Sequence, residues 1–104
     1  MEYKLIRGII DDLRFELTGL FEQGFSQNAR QEAALRELAA KLCEYGFSEG
    51  GRLLAVLCDE LAGLRAQLGQ NGESAAILLA QLWQYSGHCL RRLELAEASA
   101  ALAD

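Results

Sequence analysis

Apolar residues recur along this chain at three- and four-residue intervals, and glycine interrupts the rhythm at three places. With Leu13 as reference and an advance of ~100° per residue, Ile6, Ile9, Ile10, Leu17, Leu20 and Phe21 fall within about 80° of it. That is one broad buried face on a helix over 3–23. Leu35, Leu38, Leu42 and Tyr45 give the buried stripe of a second helix over 26–45. It starts either at Ser26 or at Asn28, where Gln31 three residues on completes a capping box. Leu53, Leu54, Leu57, Leu61, Leu64 and Leu68 mark a third helix over 48–68, with Gly50 and Gly51 weakening its first turn. The fourth runs over 73–100 and turns Leu78, Leu79, Leu82, Trp83, Ser86, Cys89, Leu90, Leu93 and Ala96 inward.

The interruptions carry chemistry of their own. Gly-Phe-Ser occurs at Gly24-Phe25-Ser26 and again at Gly46-Phe47-Ser48. Glycine closes a helix in the left-handed conformation. The phenylalanine folds back toward Leu20 or Leu42, and serine caps the next helix. Gly69-Gln70-Asn71-Gly72 is the third break. Four helices joined this tightly predict an all-α, up-down-up-down antiparallel four-helix bundle with short glycine-containing loops, a single domain over 1–104. At ~1.5 Å per residue the first three helices are each about 30 Å long and the fourth about 45 Å. Its alanine-rich end, 96–104, is expected to overhang the others or fray.

Composition narrows the partners. The net charge is −5, which disfavours nucleic acid and anionic membrane surfaces, since both need a basic footprint. No run approaches the ~18 apolar residues of a membrane span, and the first residues lack a signal-peptide layout. Cys43, Cys58 and Cys89 cannot all pair within one chain and form no Cys-x-x-Cys. They are read as reduced core thiols of a cytoplasmic protein.

Candidate chemistry is sparse. Carboxylate-bridged metal pairs in bundles need Glu-x-x-His, but Tyr85 stands three residues before the single histidine, His88. His88 and Cys89 are adjacent on a helix and point ~100° apart, the wrong geometry for shared zinc. The pairs Asp11-Asp12 and Asp59-Glu60 lie mostly on polar faces, and no glycine-rich phosphate loop occurs. No catalytic, cofactor or metal residue is assigned, no small-molecule substrate is inferred, and the chain is not read as an enzyme. His88 is expected to be exposed midway along its helix. Its surroundings, His88-Cys89-Leu90-Arg91-Arg92, resemble the motif of histidine phosphotransfer domains. There His, any residue, an aliphatic, Lys and Gly follow one another. Arg92 replaces the glycine that leaves room beside the phosphorylated ring, so phosphotransfer through His88 stands as the alternative function.

Apolar groups on the wrong faces are more informative. Gly8, Phe15 and Gly19 share a stripe ~200–240° from Leu13, a knob between two shallow grooves. Ala55, Ala62, Gly63 and Ala66 line a small-residue face of the third helix. Ile77 and Leu95 are misplaced on the fourth. With 51% hydrophobic residues, these predict a second contact surface and a protein partner, most simply a homodimer. The candidate contacts are the Gly8-Phe15-Gly19 stripe and the overhang around Leu95.

The block Leu35-x-x-Leu38-Ala39-x-x-Leu42-x-x-x-Gly46-Phe47, followed by Leu53-Leu54-x-x-Leu57-x-x-x-Leu61, resembles the helical region that accompanies SWIM-type zinc fingers in bacterial proteins. Phe21-Glu22-Gln23-Gly24 and the leucine- and tyrosine-containing last helix are similar too. The zinc ligands of that family, Cys-x-Cys followed by Cys-x-His, do not occur here. The resemblance implies the helical part alone, a bacterial cytosolic scaffold or accessory module without zinc or nucleic-acid binding.

Overall fold

The computed structural model describes residues 3–23, 29–66 and 72–103. They form four helices, α1 (Tyr3–Gln23), α2 (Ala29–Glu44), α3 (Ser48–Ala66) and α4 (Glu73–Ala103). The first Gly-Phe-Ser, the Ser26 and Asn28 caps, Leu68 and the 69–71 break lie outside the described residues. Each helix packs on two neighbours, α1 on α2 and α4, α3 on α2 and α4, with no approach across the diagonals. This is an up-down-up-down antiparallel bundle. Its centre is a leucine column of Leu13, Leu17, Leu35, Leu42, Leu54, Leu57, Leu61 and Leu82, each almost wholly buried.

The α2–α3 turn shows how local sequence sets the hairpin. Gly46 has φ +91°, the left-handed region where only glycine escapes a Cβ clash. The Phe47 N–H donates to the Leu42 carbonyl at 2.7 Å and the Gly46 N–H to the Cys43 carbonyl at 3.3 Å. These are the two bonds of a Schellman motif. Phe47 packs back on the core, as expected. The cap of α3 differs from expectation. The Phe47 carbonyl accepts the Gly51 N–H at 2.9 Å, so Ser48 lies in the first turn and Phe47 occupies the capping position.

Gly50 and Gly51 do something other than weaken that turn. Both are buried. A Cβ at Gly50 would collide with the Tyr85 ring, and one at Gly51 with the Cys43 sulfur and the Ala39 carbonyl oxygen. The two glycines let α3 enter between α4 and α2 at near-backbone contact. Ala55, one turn beyond Gly51, lines the same α2–α3 seam with Ala39 and Ala40. At Ala55, then, the backbone admitted by this small-residue face is the chain's own α2.

Polar groups join α1 to α4. The Arg14 guanidinium lies 4.1 Å from the Trp83 ring centroid and donates to Ser86 Oγ at 3.0 Å. Ser86, fully buried, donates in turn to the Trp83 carbonyl at 2.7 Å. Phe21 meets Trp83 edge-on at 5.7 Å. It was expected in the core but is 54% exposed.

Three more inward assignments are corrected. Tyr45 is exposed, since α2 ends at Glu44 and Tyr45 already belongs to the turn. Cys43 is exposed and Cys89 half-buried; only Cys58 is a core thiol. Cys43 lies along the α2–α3 rim, and Cys89 lies beside the α2–α3 turn, at the start of α3, beyond which nothing of that hairpin covers α4.

The helices are staggered. Gly50 is level with Tyr85, so the α2–α3 turn reaches α4 only near Cys89 and Leu93. α4 stays helical to Ala103, past the residue-100 limit expected from the sequence. It does not overhang alone. Arg7 pairs with Glu97 at 2.9 Å, and Tyr3 and Lys4 border Ala100 and Ala101. The molecule measures 57 × 20 × 20 Å: a four-helix bundle extended at one end by a two-helix arm, residues 3–10 and 93–103.

Candidate interaction surfaces

Phe15 stands outward on α1, 76% exposed. It borders a shallow cleft toward α2 whose rim is Asp12, Glu16, Glu37 and Lys41. Gly8 and Gly19 have open space where a Cβ would sit, so the knob-and-groove stripe exists as a surface. Leu95 is 70% exposed, on a different helix, where the face opposite α1 and α3 points to solvent. Phe15 and Leu95 are not parts of one patch. Ile77 is exposed on the outer side of α4 near its start, and Leu102 near its other end.

His88 is exposed on α4, and its Nδ1 lies 2.8 Å from Arg91 Nη2. The arginine has only donors to offer, so Nδ1 is the accepting side of this contact. Arg92, in the place of the family's glycine, lines a groove with His88. Among the described residues no group of three His, Cys, Asp or Glu side chains is placed to hold a metal ion. None of the helices is long and apolar enough to cross a membrane.

That groove is the feature the sequence reading missed. It encloses about 410 Å³ at the step where the α2–α3 hairpin stops and the arm continues. Ile6, Phe47, Cys89, Leu93 and Ala96 make its apolar lining, with Tyr85, His88 and Arg92 on the side of α3. Burial raises the Cys89 thiol above its ordinary range. Burial, reinforced by the neighbouring Cys89, pushes the Tyr85 hydroxyl up to about 12. Both groups stay neutral near pH 7, so the groove presents apolar surface with cationic Arg92 at its edge. One signal pointed to it: Leu5 and Ile6 continue the apolar face of α1 beyond the reach of a shorter α2.

Comparison with known proteins found no matching family model, no matching curated protein and no matching solved structure.

Proposed function

We propose that this chain is a non-enzymatic protein–protein interaction module, a cytoplasmic scaffold element that acts through outer helical faces and assembles first with a second copy of itself. The observation that supports this reading is apolar surface presented by regular helices, with Phe15 and Leu95 each more than two-thirds exposed. Such side chains gain ~25 cal/mol for each Å² they bury on a partner. The acidic and basic groups around them set orientation rather than affinity. The resemblance to the helical region of SWIM-containing bacterial proteins supports an accessory role in a larger assembly. Sedimentation equilibrium across the micromolar range tests the homodimer. A reversible monomer–dimer equilibrium supports it, and a strict monomer at the highest concentration rejects it.

The alternative, phosphotransfer through His88, draws support from the exposed imidazole whose Nδ1 is held by Arg91. Incubation with acetyl phosphate or a phosphorylated response regulator, followed by intact mass, decides it. A phosphoryl increment lost in His88→Gln favours phosphotransfer; an unchanged mass rejects it.

A further inference from the structure

The geometry points to a second four-helix bundle, assembled between two copies of this chain, in which the arms formed by residues 3–10 and 93–103 stack antiparallel, open face on open face. This rests on the homodimer reading and assigns it a surface different from the Phe15 and Leu95 faces.

The α1–α4 pair is a continuous two-helix layer. The α2–α3 hairpin is the second layer, but it covers the first only as far as Phe47. Past that step the same inward face goes on uncovered. Ile9 and Leu93 close it off at its base, Ile6 and Ala96 are half-exposed, and Leu5 is 43% exposed. A helical layer with one apolar face needs a partner layer. Here the vacant place is one hairpin deep and one arm long.

A second copy's arm has that depth, that length and the matching apolar face. Parallel arms are excluded, because each α2–α3 hairpin stands one layer proud of the open face and the two hairpins would collide. Antiparallel arms place each hairpin beyond the tip of the other arm. The two-fold axis then lies in the interface, across the helices, at the level of Ile6. Ile6 meets its own counterpart there, and Ala96 meets Ala100 of the second copy, small residues that permit close helix approach. Arg92 has no carboxylate partner among the described residues. This arrangement sets it level with residues 100–103 of the second copy's α4.

The area is sufficient for a weak, specific contact. Residues 93–103 span about 16 Å at ~1.5 Å per residue, and two helices ~10 Å apart make the face about 20 Å wide. Allowing for the corrugation of helical surfaces, the pair buries on the order of 1,000 Å² in total, the lower bound for specific interfaces.

Two measurements on the full chain test the arrangement. Sedimentation equilibrium compares wild type with Leu5→Glu and Ala96→Glu on the open face, and with Phe15→Glu and Leu95→Glu elsewhere. The first two should weaken the dimer at least about tenfold and the last two less than about threefold, roughly a 1.4 kcal/mol threshold. Small-angle scattering then reads shape without any substitution. Antiparallel arms join two 57 Å molecules into a rod about 100 Å long, given an overlap of about 16 Å, whereas side-by-side association stays near the monomer's length. Loss of the dimer in Phe15→Glu or Leu95→Glu with Leu5→Glu and Ala96→Glu unaffected, or a short particle, overturns the arm arrangement and leaves the homodimer standing. A monomeric wild type overturns both.

Discussion

A methyl group added at Gly51 would lie against the Cys43 sulfur and 2.8 Å from the Ala39 carbonyl oxygen, whereas one at Gly8 would meet nothing within 4 Å. Backbone cannot step aside as a flexible side chain does, so Gly51→Ala should lower stability by ~1–3 kcal/mol through overpacking. Gly8→Ala should raise it by ~0.5–1 kcal/mol, because alanine loses less entropy in a helix. Urea unfolding of both variants checks the contrast; equal effects would contradict the close α2–α3 approach. Cys58 gives a second residue-scale outcome. It is fully buried, and burial, partly offset by Arg36, pushes its thiol from about 9 to about 11. The unfolded chain therefore loses this proton first. Its contribution is complete below about pH 9 and falls away as pH rises toward about 11, on the order of 2–3 kcal/mol for a two-unit shift. Wild type should lose urea resistance steeply over that window. Cys58→Ala should show a shallower slope, the remainder coming from Cys89, also raised by burial, and from Tyr85 between about 10 and about 12.

At the scale of elements, helix ends carry the information. The Schellman bonds around Gly46 require positive φ, so Gly46→Ala should cost about 1–2 kcal/mol in thermal or urea unfolding while leaving helix content unchanged. A neutral result would mean that the turn can relax into another geometry. The first turns of α3 and α4 carry Glu49 and Glu73 and the last turn of α2 carries Lys41, each opposing the local helix dipole. Arg52, hydrogen-bonded to Glu49, lowers that carboxyl below its ordinary range. The Arg36–Asp59 pair at 2.9 Å ties α2 to α3, but both groups are exposed and such pairs add little.

At the scale of the molecule, stagger matters more than any single contact. The arm has one layer and the bundle two, so local opening should be easiest in the arm. Hydrogen exchange should find amides of residues 95–103 less protected than those of 79–90 in dilute solution. Protection there should rise with protein concentration if arms pair between copies. Uniform protection along α4 at low concentration would contradict the two-layer description of the step.

The periodicity of apolar residues and the glycine punctuation determined four helices, the bounds of α1, the start of α3 and the leucine column, because each depends on contacts within a few residues or on one face of one helix. Outward Phe15 and Leu95 were legible for the same reason. Tyr45, Phe21, Cys43 and Cys89 were not, since a helical wheel assigns a face without saying how far along the helix a neighbour extends. Gly50 and Gly51 read as local weakness because the atoms they make room for, Tyr85 and the α2 backbone, are distant in sequence. The groove between Phe47 and Ala96 exists only through the relative heights of the four helices. Tertiary packing alone decided that, because register between helices is set by the fit of side chains across them and not by the pattern along any one.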